Sequence, residues 1–383
     1  MVSVENRSLR IEESRKKILP PFRLDETLCL YSPQDNVDSL KHERISHWLN
    51  FVTRRYSPRL PKAPVRILLL MPCTKIKPYP FSTEHKRINQ RLHDIGFRPV
   101  GKNFLPDEIR NLLEPEYAPE VLNLAPLSNG AGVVIHRVVI SEPLAFVPYE
   151  HIASYEGRLS PSSAYDDPGL FENRGNAVSP WRKDFTAQRV SSARWKWGPS
   201  ELKAYVQMHN VMAEKLAKAI ERTVAAYTHR LAWVAPGLTH RSFVLGKEER
   251  SAHNVRTTRR AGSETLEFVG ANDFLPDELK VEALPTLDHC QDAIARLAKR
   301  LRKPKSRIGG VYSRGGGDAT PLALPELLDV LVKKIRNARK RLEPGGRAQR
   351  TEPVALGKCA KSATRGLGNR RSLALCCDID VQA

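Results

Sequence analysis

The stretch "VRILLLM", residues 65–71, restricts the fold of this chain more than any other. Only Arg66 interrupts it, so it offers no polar face to a helix or a half-solvated strand. An aliphatic run of this length suits a strand covered on both sides, as in a parallel sheet flanked by helices. "GVVIHRVVIS" (132–141) and "HRLAWVAP" (229–236) repeat the pattern, and "ETLEFVG" (264–270) reads as a weaker fourth strand. From Ser200 to Tyr227 the residues Leu202, Val206, Leu216, Ile220, Val224 and Tyr227 keep one helical face apolar. The alternation predicts an α/β fold: an open three-layer, mostly parallel sheet with helices on both faces, followed by a basic helical or disordered C-terminal extension.

Three segments are expected. Residues 1–60 form an N-terminal arm whose "LKHERISHWLNFVTRRY" makes one amphipathic helix with Leu40, Ile45, Trp48, Leu49 and Val52 near one side. After the Pro-rich "SPRLPKAP", residues 61–295 form the α/β core, and 296–383 form the basic extension. "NFLPDEIR" (103–110) and "DFLPDELK" (273–280) nearly repeat, which the helix-starting character of Leu-Pro-Asp-Glu explains without a duplication.

The formal charge is +20, and its placement is the informative part. Residues 296–371 hold 21 Lys and Arg against 5 Asp and Glu, so +16 of the +20 lies there. Such a concentration attracts polyphosphate by counterion release and points to nucleic acid as partner. A helix near 321–342 is expected to bury Leu328, Leu331, Ile335, Ala338 and Leu342. Its other face carries Lys333, Lys334, Arg336, Arg339, Lys340 and Arg341 toward phosphates.

The cysteines at 29, 73, 290, 359, 376 and 377 include no CxxC pair and no Cys–His cluster at zinc spacing. No disulfide framework, structural zinc or other metal is expected from spacing, and no cofactor. With no apolar run near the roughly 18 residues of a membrane span and no apolar signal region in "MVSVENRSLRIEESRKK", a cytoplasmic protein without membrane contact is expected.

Ligands of open α/β sheets bind at the carboxyl ends of the strands. There the first strand runs into "PCTKIKPYPFSTEH". Ser82 is placed to cap a helix with Glu84 in its first turn, and His85 lies on the inward stripe with Ile88. Lys75 and Lys77 beside Cys73 are expected to lower its thiol pKa. Pro72, Pro78 and Pro80 stiffen the loop. Two readings of Cys73 stand at this point: a nucleophile, or a small hydrophobe ending a strand.

This segment resembles the signature of the archaeosine synthase family: Pro-Cys, three residues, Lys-Pro-Tyr, two residues, Ser, two residues, His. The matching positions are Pro72, Cys73, Lys77, Pro78, Tyr79, Ser82 and His85. "ISEPLAFVPYE" (140–150) and "AYDDPG" (164–169), with Tyr165 and Asp166 as its Tyr-Asp pair, resemble the family's next segment, so the likeness spans roughly residues 65–240. It implies action on a 7-deazaguanine base already installed in tRNA, whose nitrile receives the side-chain amine of free lysine. The family's transglycosylase-like region, zinc cysteines and RNA-binding C-terminal domain have no counterpart here. The polymer is therefore open between tRNA and DNA, and a separate transglycosylase is an implied partner.

On these residues a mechanism is expected in which Cys73 adds to the nitrile and an amine displaces the thioimidate. Lys77 or His85 protonates the nitrogen, and Asp166 or Glu150 receives the ammonium. Tyr79 stacks on the base, and Ser82 and Tyr165 line the substrate. In a second version Cys73 is structural and the amine attacks a nitrile polarised by Lys77. His240, at the same sheet edge, is a further binding candidate. Trp181, Trp195 and Trp197 amid cations suit unstacked bases or simply pack beneath a loop. Two alternatives remain: a non-catalytic accessory that binds the modified base or nucleic acid, and an enzyme cleaving a glycosidic bond through Asp166.

Overall fold

The structure, a computed structural model, describes residues 6–167, 177–191, 194–315 and 320–340. Seven strands make the main sheet: β1 (Val65–Pro72), β2 (Arg98–Pro99), β3 (Leu127–Ser128), β4 (Val133–Ser141), β5 (Ala145–Pro148), β6 (His229–Trp233) and β7 (Glu282–Leu284). Their order is β7-β6-β1-β4-β3-β2. The four strands β7, β6, β1 and β4 are parallel. The remaining three join through antiparallel pairings, β2 with β3, while β3 and β5 share the edge of β4 away from β1. The fold is α/β with a mixed, mostly parallel sheet.

Helices cover both sheet faces, which is why Ile67 to Met71 are all fully buried. The helices used below are α1 (Arg7–Arg15), α2 (Glu43–Asn50), α3 (Thr83–Asp94), α4 (Pro199–Arg222), α5 (Thr239–Val244), α6 (Leu287–Leu301) and α7 (Pro325–Lys340). Successive side chains of β4 show the two sides. His136 meets Tyr56, just beyond α2, and Tyr227, whereas Arg137 reaches Asn89 on α3.

The weak fourth strand of the sequence pattern is placed differently. Glu264–Glu267 pairs with Thr258–Ala261 in an antiparallel hairpin outside the sheet. Three of its four residues are exposed, so it lacks the two-sided burial of a parallel strand. The fourth parallel strand is β7, three residues too short to signal itself. Helix α4 stops at Arg222, where Thr223 turns its hydroxyl onto Ala219 O at 2.8 Å.

One apolar core runs from Leu28 to Ala338, through all three expected segments. Trp48 of α2 is fully buried, and its Nε1 donates to Leu144 O at 3.1 Å. On α7 the expected residues Leu328, Leu331, Ile335 and Ala338 are buried. Arg296 and Arg300 of α6 pair with Asp329 and Glu326 of α7. Leu342, Arg341, the Lys340 side chain and the expected C-terminal tail lie outside the described residues. Among the described residues no helix is long and apolar enough to cross a membrane.

Candidate functional site

Three adjacent parallel strands, β4, β1 and β6, deliver a carboxylate, a thiol and an imidazole to one place. Cys73 follows β1 directly, its amide donating to Ile140 O of β4 at 3.0 Å. Glu142 follows β4. His240 sits in the first turn of α5, just beyond β6. Cys73 Sγ lies 3.3 Å from His240 Nε2, and His240 Nε2 lies 3.7 Å from Glu142 Oε2. Glu142 and His240 are buried and Cys73 half-buried.

The neighbouring residue explains why His240 is held there. Arg241 is fully buried and its guanidinium donates twice to Val234 O, at 3.1 and 2.8 Å, and once to Pro285 O. It thus ties α5 to the ends of β6 and β7. Gly270 fixes the other end of α5, since a Cβ there would lie 2.0 Å from Leu245 O.

Beside this trio lies the rest of the loop. Lys77 is fully buried, with Nζ 4.4 Å from the centre of the Tyr165 ring and 3.5 Å from Lys75 O. The Tyr79, Tyr165 and Ser141 hydroxyls form a triangle with sides of 2.9, 2.6 and 3.1 Å. Lys77 is also held from outside the loop. Its amide donates to Lys17 O and its carbonyl accepts from Leu19 N, both at 2.9 Å. Asp166 accepts from Lys17 Nζ at 2.6 Å and Ser14 Oγ at 2.7 Å, through Oδ2 alone. Its Oδ1 has no hydrogen-bond partner among the described residues.

Burial dominates the electrostatics. It pushes the Cys73 thiol well above its usual range, Glu142 adding to the rise and Lys77 only partly opposing it. The expected thiolate is therefore not what the neighbouring lysines produce. Burial also lowers Lys77, against the pull of Asp166 and Cys73. It raises Glu142, with Asp167 reinforcing, and brings His240 down to about 4. For Asp166 burial acts upward, but Lys77 and Lys17 outweigh it and hold the carboxyl below its ordinary value.

Several expected site residues do other work. His85 does not face the thiol. Both its nitrogens are engaged, Nδ1 with Tyr149 OH at 2.6 Å and Nε2 with Pro72 O at 2.9 Å, so it braces the peptide that leads into Cys73. Ser82 caps α3, accepting from His85 N at 3.3 Å. Tyr79 is fully buried in its hydroxyl triangle and has no face open to a base. Glu150 belongs to a separate network with Tyr56 and His136. There burial alone would raise it, but His136, His151 and Tyr56 bring it to about 2. Trp195 and Trp197 are buried beneath their loop, while Trp181 is partly exposed.

The brace at His85 has a pH signature. Burial brings His85 to about 4, and burial with the Arg250 charge brings the fully buried His209 to about 3. Both fold as neutral rings, whereas the unfolded chain protonates near 6.5. The stability that these two rings contribute is therefore complete above about 6.5 and falls with pH below it, each adding a slope of up to about 1.4 kcal/mol per unit. Urea unfolding at stepped pH tests this. A flat profile from pH 7 to 4.5 would contradict it.

No protein-family model, curated protein or solved structure matches this chain.

Glu142 was not singled out by the sequence, though a signal was there. In the β1–β4 register Pro72 faces Ile140, so the residues just past each aliphatic run must converge. On α7, Lys333, Arg336 and Arg339 are exposed, while Lys334 is half-buried and pairs with Glu282.

Proposed function

We propose that this sheet edge joins an amine to the nitrile of a 7-deazaguanine base carried in nucleic acid, the reaction of the archaeosine synthase family that the Pro72–His85 segment resembles. One observation carries the reading. Every polar residue of that motif either lies in the cluster at the strand ends (Cys73, Lys77, Tyr79) or braces it from α3 (Ser82, His85).

The route that fits the geometry is direct addition. The Cys73 sulfur is engaged by His240 and burial works against a free thiolate there, which disfavours a thioimidate. The incoming ammonium gives a proton to the acidic pair Asp166 and Asp167, and its nitrogen bonds to the nitrile carbon. One π bond of the nitrile opens, and its nitrogen takes a proton from Lys77. The Asp pair returns the proton to Lys77, leaving an amidine and no other product. The exposed Lys333, Arg336 and Arg339 offer the polymer's phosphates a sequence-independent surface.

A second reading, the non-catalytic accessory, is favoured by the full burial of Lys77, Tyr79 and Tyr165. One experiment separates the two. The protein is incubated with nitrile-bearing tRNA or DNA and free lysine, and the nucleosides are weighed. A mass gain of one lysine supports the enzyme. Retained binding with no gain on either polymer would transfer the case to the accessory.

A further inference from the structure

We infer that Cys73, Glu142 and His240 together hold one divalent transition-metal ion of the zinc type, with a fourth coordination position left open. The inference does not depend on the reaction proposed above.

The donor atoms of these three residues all lie within 4.8 Å of one another. Around a tetrahedral zinc, with bonds of about 2.3 Å to sulfur and 2.0–2.2 Å to nitrogen and oxygen, neighbouring donors stand roughly 3.4–3.6 Å apart. The observed 3.3 Å from Cys73 Sγ to His240 Nε2 and 3.7 Å from there to Glu142 Oε2 bracket that value.

The arrangement around the imidazole disfavours the obvious rival, a triad of cysteine nucleophile, histidine base and orienting carboxylate. In such a triad the thiol and the orienting carboxylate or amide take opposite nitrogens of the ring. Here the thiol and the carboxylate converge on the same nitrogen, Nε2, and Nδ1 has no hydrogen-bond partner among the described residues. Three donor atoms within 4.8 Å of one another, two of them beside one ring nitrogen, suit ligation better than a proton relay.

Charge balance agrees. A thiolate and a carboxylate this deeply placed each carry a heavy desolvation cost alone. With a neutral imidazole they sum to −2, which a divalent ion cancels. Thiolate and imidazole donors favour zinc over magnesium or calcium. Three protein ligands with one free position are the pattern of zinc sites that bind water or a substrate atom. The ligands come from the ends of three hydrogen-bonded strands, and Arg241 and Gly270 fix the helix that bears His240, so the site is rigid before any ion arrives. Spacing rules missed it because the three residues are separated by whole crossover units.

The test uses the full chain and the metal alone. After refilling with zinc and dialysis, about one zinc per chain is expected. Cys73→Ser and His240→Ala should each lower the content at least tenfold, while Cys290→Ala, which removes a thiol that is not one of the three donors, should keep it. Cobalt in place of zinc should give a near-ultraviolet thiolate-to-cobalt band and strong tetrahedral visible bands, both lost in Cys73→Ser. Should a variant fail to fold, the zinc content and cobalt spectrum of the unaltered chain still test the inference, since the lack of both would refute it. No zinc and no thiolate band in the native protein would overturn the inference, as would a folded Cys73→Ser chain that keeps both. Metal binding in a chain that transfers no amine would leave this inference standing and remove only the proposed reaction.

Discussion

Under the proposed reaction, Lys77→Gln is expected to slow amine addition by about 10²–10⁴-fold, the range for losing a positioned general acid, while the protein stays folded. The fold tolerates the change because the side chain contributes little to it. Nζ makes one long hydrogen bond, to Lys75 O at 3.5 Å, which a glutamine amide can also make, and stands 4.4 Å from the centre of the Tyr165 ring, where the amide can still pack. The links that matter structurally run through the backbone amide and carbonyl of residue 77, to Lys17 and Leu19, and are untouched. Replacing a buried ammonium by an amide also removes a desolvation cost. Asp166 keeps Lys17 as its remaining cation. Nucleoside mass spectrometry over a time course, beside a thermal melt, measures both halves. A stable variant with undiminished rate would remove Lys77 from the chemistry.

The largest stability effect is expected at Arg137→Met. This arginine is fully buried on β4, and no carboxylate is among the groups it bonds. Its guanidinium donates to Asn89 Oδ1 at 2.9 Å, Asn123 O at 2.7 Å and Ala125 O at 2.6 Å. It also lies 4.3 Å from the centre of the Tyr149 ring. Methionine fills similar space but leaves three buried acceptors unpaired, at roughly 1–3 kcal/mol each, and the desolvation cost of the lost guanidinium offsets part of this, so a net loss of about 3–5 kcal/mol is expected. Urea unfolding should show a lower midpoint at unchanged slope. An unchanged midpoint would mean that water satisfies those acceptors. Tyr149 is the hydrogen-bond partner of His85, so the same substitution should loosen the peptide leading into Cys73.

The parallel centre of the sheet was legible because two-sided burial demands unbroken aliphatic runs, and β1, β4 and β6 have them. The capped start of α3 was legible because Ser82, Glu84 and His85 are local in sequence. What escaped was everything set by distance. The role of His85 depends on Tyr149 and Pro72 O, the confinement of Tyr79 on Ser141 and Tyr165, and the isolation of Glu150 on His136. None of these pairings leaves a periodic trace. The lysines at 75 and 77 suggested an acidic thiol, yet the depth of the site and the unforeseen Glu142 reverse the direction. Residues that look adjacent along the chain were assigned to one another, while the real neighbour of Cys73 is His240, 167 positions away.

The short bridge between Ile18 and Lys77 has a consequence for how such a chain is handled. With Ser14 and Lys17 anchoring Asp166, the last turn of α1 and the residues after it form the floor on which the motif loop rests. A fragment starting at the first long strand would keep every signature letter and still lack the foundation that orders them. Motif and working site are therefore not the same length of polypeptide, and a trimmed version that is inert would say nothing against the residues it retains.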